Sequence, residues 1–137
     1  MIINVVAALI EKENKILIAK RSTGDPNVLG KWEFPGGKVE LNEDEFHAIE
    51  REFLEEFELK IKAKKFVVNN ICEYPAKTVD LRLYSCDYVD GDFKLHDHSE
   101  YKWVKKEELL NYDLAPADIP LARYVMEVNK WDFGLLI

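Results

Sequence analysis

The sequence predicts an α+β fold in which a mixed β-sheet lies between helices, that is, an α/β/α sandwich. Its 137 residues suit one domain of the commonest size, and 47% of them are apolar. Segments typical of strands and of helices interleave along the chain in the order β-β-loop-β-α-β-β-β-α-α. No repeat, low-complexity tract or linker separates them. We therefore expect a single domain that spans residues 1–137.

The first forty residues predict β-structure interrupted by one loop. Residues 2–10 are β-branched and apolar, and residues 16–21 form the returning strand of a hairpin across the turn "EKENK". Residues 22–31 are rich in Gly, Pro, Asp and Asn, which predicts a loop. Residues 32–40, "WEFPGGKVE", predict a short strand that Pro35 and two glycines interrupt.

A helix is predicted from about Glu43 to Phe57. Asn42 is the expected N-cap, and Glu45, three residues further on, completes a pair that resembles a capping box. Successive helical residues turn through about 100°, so one apolar stripe should face the core. That stripe consists of Phe46, Ile49, Phe53 and Phe57.

The remaining residues predict three strands and two further helices. Residues 59–71 and 78–91 alternate between apolar and polar side chains, and Asp90-Gly91 is a hairpin signal. Residues 101–112 predict the end of a strand followed by a short helix. The last helix is predicted over residues 119–131, with Pro120 in its first turn.

Charge and hydropathy limit the classes of partner. A formal net charge of -7 argues against a surface for nucleic-acid polymers, which needs clustered Lys and Arg. No apolar run approaches the ~20 residues of a membrane span, and the amino-terminal residues lack the basic start of a signal peptide. Cys72 and Cys86 form no CxxC pair, which is typical of reduced thiols. We expect a cytoplasmic protein, a monomer or weak homodimer, with no membrane partner.

The central helix carries a patch of carboxylates beside its apolar stripe. Glu52, Glu55 and Glu56 stand at positions i, i+3 and i+4, so their side chains share one face. Such a patch is either a solvated helix face or a set of ligands for a cation, and the helix alone does not decide between them. Carboxylate oxygens are the ligands that Mg²⁺ prefers.

The loop before the helix decides in favour of a cation, because the whole segment resembles the signature of the Nudix hydrolases. The matching positions are Gly37, Glu43, Arg51, Glu52, Glu55, Glu56 and Leu59. Glu58 replaces the glycine that ends the helix in that signature, where a left-handed residue is wanted. "WEFPGGK" resembles the MutT-like subgroup, and "LAPADIP" resembles the base-recognition loop of its CTP pyrophosphohydrolase members.

The resemblance implies a Nudix fold with a loop-helix-loop metal site. Its implied reaction is the hydrolysis of a nucleoside triphosphate to a monophosphate and pyrophosphate. The implied cofactor is Mg²⁺, with Mn²⁺ as a substitute, held by Glu52, Glu55, Glu56 and the carbonyl of Gly36 or Gly37. Asp97 occupies the place of an acidic residue in MutT-like proteins that binds metal or activates water; otherwise it is a turn residue. The histidines on either side of it are not expected to bind metal.

The substrate contacts divide into a phosphate set and a base set. Arg21 and Lys38 are the cations expected to bind phosphate, since Arg suits bidentate contact and Lys38 follows two glycines. Asp118 is the candidate for base recognition, with Phe34 and Tyr74 as apolar walls. A carboxylate there favours a cytosine-type base, whereas a protonated Asp118 would also suit an 8-oxoguanine nucleotide. Asp118 is also expected to be the N-cap of the last helix, a role that is compatible with base recognition. Glu43 and Arg51 are expected to brace the loop.

Two other functions stay open at this point. Pro75 lies 16 residues past Leu59, a spacing associated with Nudix hydrolases of ADP-ribose. A Nudix module that binds a nucleotide without turnover is the second alternative, although such modules typically lose the acidic residues that this chain keeps.

Overall fold

The computed structural model describes residues 2–128, which form seven strands, two α-helices and two short 3₁₀ helices. The strands are β1 (Ile2–Lys12), β2 (Lys15–Arg21), β3 (Trp32–Glu33), β4 (Gly36–Lys38), β5 (Lys60–Tyr74), β6 (Lys77–Asp90) and β7 (His98–Lys105). The helices are α1 (Glu45–Phe57), the 3₁₀ helices Lys106–Asn111 and Pro116–Asp118, and α2 (Ile119–Glu127). The predicted continuation of the last helix over residues 129–131 lies outside the described residues.

The strands form one mixed sheet around β1. β1 runs parallel to β6 and antiparallel to β2 and β4. β5 extends the sheet beyond β6, while β3 and β7 both pair with β2. Pro35 separates β3 from β4, as the sequence predicts, because proline cannot donate to a strand ladder.

Helices cover both faces of this sheet, which confirms the predicted sandwich. Side chains alternate along β1, so Val6, Ala8 and Ile10 face α1 while Ala7 and Leu9 face α2. α1 buries Ile49, Phe53 and Phe57 against the first face, and α2 buries Leu121, Ala122 and Val125 against the second. The acidic helix is thereby fixed against the strands that carry the rest of the site.

The start of α1 differs from the prediction. Asp44, not Asn42, is the N-cap, and its carboxylate accepts the backbone N–H of His47 at 2.9 Å. Asn42 lies two residues earlier in a left-handed turn with φ 64°. Glu45 does not complete a capping box, because its carboxylate accepts hydrogen bonds from Arg82 and Tyr84 on β6.

One member of the predicted apolar stripe is not buried. Phe46 is 46% exposed, although its ring packs edge-on against Tyr84. It lies in the first turn of α1, and the ring of Tyr84 covers it only in part.

The predicted hairpin at Asp90-Gly91 does not form, because the strand after the turn does not pair with the strand before it. Gly91 does take a positive φ of 112°, and β6 does end at Asp90. The following strand β7 pairs with β2 instead of β6, whose two edges are already taken by β1 and β5. No helix within residues 2–128 is long and apolar enough to span a membrane.

Candidate active site

A cavity of about 450 Å³ opens where α1 meets β1, β3 and β4, and it collects most of the predicted site residues. Those that line it are Arg21, Phe34, Gly36, Lys38, Glu52, Glu56, Tyr74, Asp97 and Asp118. Glu55 is absent from the lining. These residues are spread along the chain from Arg21 to Asp118, so the cavity forms only when the sheet has folded.

Two carboxylates of α1 meet at the wall of the cavity. Glu52 and Glu56 are one helical turn apart, and the side chain of Glu56 is almost completely buried. Burial, reinforced by the hydrogen bond to Glu52, raises the pKa of Glu56 to about 9. Two carboxylates in hydrogen-bond contact need one shared proton or a cation between them, so this acidic pair is a centre that attracts positive charge.

Close contacts require both glycines before α1. A Cβ on Gly37 would lie 2.2 Å from Oε2 of Glu52, and a Cβ on Gly36 would lie 1.9 Å from the carbonyl oxygen of Val6. Neither φ is positive, so the requirement for glycine here comes from close approach and not from backbone conformation. Gly37 thus lets the carboxylate of Glu52 approach the backbone of β4, and Gly36 lets β4 approach β1.

Arg51 braces this wall, as the sequence analysis expects of Arg51 and Glu43. Its Nε and Nη2 donate to the two oxygens of Glu43 at 2.6 and 2.9 Å, and Nη2 also donates to the carbonyl of Lys38 at 3.0 Å. The hydrogen bonds from Arg51 lower the pKa of Glu43 to about 2. The loop that carries the glycines is thus tied to the middle of the helix.

The third predicted acid points elsewhere. The side chain of Glu55 is 60% exposed, and its Oε1 accepts a hydrogen bond of 3.0 Å from Nη1 of Arg51. The same nitrogen donates to Oε1 of Glu52 at 2.9 Å. Within residues 2–128, no three His, Cys, Asp or Glu side chains converge closely enough to hold an ion by themselves. An ion at the acidic pair therefore needs backbone or ligand oxygens as well.

The end of α1 confirms the interpretation of the replaced signature glycine. Glu58 takes the left-handed conformation, with φ 56° and ψ 35°, and its N–H bonds to the carbonyl of Leu54. The backbone geometry that the signature glycine provides is kept, at the modest conformational cost of a non-glycine residue.

Next to the acidic pair, Arg21 contacts Glu33, and Glu33 contacts His98; neither Glu33 nor His98 is among the predicted site residues. Nε2 of His98 lies 2.8 Å from Oε2 of Glu33, and Nη1 of Arg21 lies 3.3 Å from the same oxygen. Arg21 Nη1 and His98 Nδ1 lie 3.8 and 3.7 Å from Oε1 of Glu56. Glu33 could have been noticed as the single acid within the apolar stretch "WEF". His98 lies 65 positions further on, and nothing in its local sequence indicates that it contacts Glu33.

Asp118 and its neighbours form a second wall of the cavity. The carboxylate is buried, and its Oδ1 accepts the backbone N–H of Phe34 at 2.9 Å. Burial raises the pKa of Asp118 well above its ordinary value. Asp118 does occupy the N-cap position of α2, as the sequence predicts, but its side chain makes no capping hydrogen bond there. Burial also raises the pKa of the nearby Tyr74 to about 12.

Lys77, Asp25 and Asp97 also line the cavity, and of these only Asp97 was predicted. Lys77, at the start of β6, lines the cavity, and its Nζ lies 3.0 Å from Oδ2 of Asp25 in the loop on the other side. Asp97 also lines the cavity, held in place by the hydrogen bond from the N–H of Ser22 to its carbonyl. The cationic side chains of the cavity, Arg21, Lys38 and Lys77, thus come from three different strands.

The chain is similar to known proteins over nearly its whole length. The NUDIX domain family matches residues 2–125. The chain is 38% identical over 127 residues to the CTP pyrophosphohydrolase of Escherichia coli (strain K12), covering 93% of each protein. It is 36% identical over 116 residues to the putative 8-oxo-dGTP diphosphatase 2 of Mycobacterium tuberculosis (strain ATCC 25618 / H37Rv), covering 83% of this chain and 81% of that one. The crystal structure of the MutT protein from Methanosarcina mazei Go1 matches with a TM-score of 0.80 and 32% identity, over 92% of this chain and 94% of that chain.

Proposed function

We propose that this chain, which belongs to the NUDIX domain family, hydrolyses a ribo- or deoxynucleoside triphosphate to the monophosphate and pyrophosphate. Its base is of the cytidine type or oxidised, and the cellular role is the removal of such nucleotides from the pool. The observation that carries the proposal is that one cavity is lined both by the acidic pair and by Asp118. The names of the relatives, a CTP pyrophosphohydrolase and 8-oxo-dGTP diphosphatases, agree with this substrate class.

The acidic pair fits a divalent cation, the kind of cofactor that Nudix hydrolases generally use. The buried carboxylate of Glu56 and the carboxylate of Glu52, which Gly37 admits close to the backbone, bring two acidic groups to one wall of the cavity. We assign Mg²⁺, with Mn²⁺ as a substitute, to Glu52, Glu56 and the carbonyl of Gly36. Glu55 would join the set once its ion pair with Arg51 opens. A bound cation supplies the charge that stabilises the phosphate oxygens as the reaction proceeds.

The protein side chains supply the remaining steps. Water adds to a phosphorus of the triphosphate, the bond from that phosphorus to a bridging oxygen breaks, and the proton of the water passes to a carboxylate of the cavity. Asp97 is our candidate for that carboxylate. Lys38 and Lys77 line the cavity and contribute positive charge for the phosphates, and Arg21 is held nearby by its ion pair with Glu33.

Asp118 supplies the base selectivity. Its Oδ1 is occupied by the N–H of Phe34, so its other oxygen is the one offered to a base. An ionised carboxylate accepts from an exocyclic amine, as on cytosine, whereas the protonated form that burial favours also donates. The same side chain therefore accommodates the two classes of base.

Pyrophosphate release from a panel of nucleotides with Mg²⁺ tests the proposal. The panel contains CTP, dCTP, 5-methyl-dCTP, 8-oxo-dGTP, dGTP and ADP-ribose. We expect turnover of one or more of the cytidine-type or oxidised triphosphates, abolished by Glu56→Gln and unchanged by Glu107→Gln, which alters an exposed acid of a 3₁₀ helix. Turnover of ADP-ribose alone would assign the other Nudix activity. Nucleotide binding without turnover of any compound would refute the enzymatic proposal.

A further inference from the structure

A histidine is buried directly behind the acidic pair. The side chain of His98, at the start of β7, has no exposed surface, and its ring stacks on Phe57 of α1 with centroids 5.0 Å apart at 19°. Its Nδ1 and Oε1 of Glu56 are 3.7 Å apart, and both atoms are buried without a hydrogen-bond partner. Among residues 2–128 these are the two buried side-chain polar atoms left unpaired.

The ring of His98 has a defined orientation. Its Nε2 is 2.8 Å from Oε2 of Glu33, which Arg21 also contacts, so the far side of the ring is tied to a charged pair. Stacking on Phe57 also restricts the tilt of the ring plane. Nδ1 is consequently directed at Glu56 by contacts that do not involve the acidic pair. A hydrogen-bond donor at Nδ1 would therefore have Oε1 of Glu56 as its partner.

We propose that His98 is a positioning residue that donates from Nδ1 to Oε1 of Glu56 and so turns the other carboxylate oxygen towards the cavity. The inference rests on the proposed function, because it assigns a role towards the cation site. The present separation exceeds a normal hydrogen bond by less than about 1 Å. A small rotation of the Glu56 side chain closes that gap, and with it the two unpaired atoms satisfy each other. Partners of this kind behind a metal ligand fix its orientation.

The competing explanation is that His98 only fills the core and bonds Glu33. The two explanations differ in which ring nitrogen matters. An Asn side chain places its amide nitrogen the same number of bonds from Cβ as Nδ1, and a Gln side chain places its amide nitrogen the same number as Nε2. His98→Asn thus keeps the donor towards Glu56, while His98→Gln keeps the group towards Glu33.

The first measurement is Mn²⁺ affinity of the nucleotide-free protein, by electron paramagnetic resonance of the free ion, alongside kcat and KM for the best substrate of the panel. We expect His98→Gln to weaken Mn²⁺ binding and lower kcat by about 10- to 100-fold, with a smaller effect on KM. For His98→Asn, Mn²⁺ affinity and kcat should both stay within about threefold of the wild-type values. That change is well below the loss typical of removing a partner that orients a metal ligand. Equal losses in the two variants, no loss in either, or a larger loss in His98→Asn would overturn the proposal.

A second measurement needs no variant, in case the substitutions prevent folding. Long-range ¹H–¹⁵N NMR of the wild type resolves the ring nitrogens of the three histidines, of which only His98 is buried. We expect its Nδ1 to carry a hydrogen in the Mg²⁺-loaded protein, and an Nδ1 without a hydrogen would overturn the inference. Failure of the wild type to hydrolyse any nucleotide would overturn the proposed function instead, while the Mn²⁺ and NMR results still decide the role of His98.

Discussion

Replacing Glu56 by glutamine should stabilise the metal-free protein, and the gain should grow with pH. The pKa of Glu56 is raised from 4.5 to about 9 by burial and by its contact with Glu52. Between these values the native protein holds a proton at this site that the unfolded chain has released, so the wild type loses stability as the pH rises. Glutamine keeps a hydrogen-bonding group next to Glu52 but does not titrate.

The expected size follows from one proton per molecule. The difference in unfolding free energy between Glu56→Gln and the wild type should change by about 1.4 kcal/mol per pH unit inside this window. From pH 6 to pH 8 the variant should thus gain about 3 kcal/mol relative to the wild type, a large part of a typical total of ~5–15 kcal/mol. Urea unfolding in the presence of EDTA, at several pH values, measures this difference directly.

The matched control is Glu107→Gln, which makes the same chemical change at an exposed position. Its stability difference from the wild type should be small and independent of pH. Adding Mg²⁺ at pH 8 should stabilise the wild type and leave Glu56→Gln nearly unchanged, because the cation takes the place of the proton. Parallel pH profiles for the wild type and Glu56→Gln would refute the assignment of a raised pKa to this residue.

Three other substitutions test separate parts of the site. Asp118→Asn keeps the acceptor for the backbone N–H of Phe34 but adds a donor, so kcat/KM for cytidine triphosphates should fall at least about tenfold while kcat/KM for 8-oxo-dGTP is largely kept. Equal losses for the two kinds of substrate would contradict the role in base selection. Gly37→Ala places a Cβ 2.2 Å from the carboxylate of Glu52, a proposed metal ligand, and should weaken Mn²⁺ binding about 10- to 100-fold in an otherwise folded protein. Unchanged Mn²⁺ affinity would contradict a need for glycine at this position. Arg51→Met removes the guanidinium from the buried carboxylate of Glu43, which keeps only the N–H of Glu40 and the ring of His47 as partners, and should cost about 2–4 kcal/mol in urea unfolding. Lys31→Met, at a more exposed ion pair, should cost under about 1 kcal/mol; similar losses in the two would argue against a brace.

The acidic pair and the two glycines before it, Gly36 and Gly37, were predictable because they lie within one short segment. Spacing along a helix determines which carboxylates share a face, and the glycines lie only a short loop before that helix. The helix start was wrong by two residues, since both Asn42 and Asp44 are good caps and only their backbone conformations distinguish them. Glu55 shows the limit of the helical wheel: it shares the acidic face, but Arg51 draws it away from the cavity.

The parts that depend on distant contacts were predicted only through family resemblance or not at all. Asp118 meets Phe34 across 84 positions, and its place in the cavity follows from the pairing of β3 beside the 3₁₀ helix. The partner of β7 could not be derived from the turn at Gly91, because local turn geometry does not specify which sheet edge is free. His98 was overlooked for the same reason, since its neighbours come from α1 and β3.

The two unpaired buried atoms connect the stability of the fold with the occupancy of its site. Nearly all buried polar groups in native proteins are paired, and leaving one unpaired typically costs about 1–3 kcal/mol. Here the exceptions within residues 2–128 are Oε1 of Glu56 and Nδ1 of His98, which face each other behind the acidic pair. The proposed rotation of Glu56 would pair these two atoms and turn the other carboxylate oxygen towards the cavity. A cation that binds only the folded protein adds about 2.7 kcal/mol to its stability when the free cation concentration is about 100 times the dissociation constant. Pairing of the two buried atoms and cation binding are therefore expected to be linked, because both depend on the same rotation of Glu56.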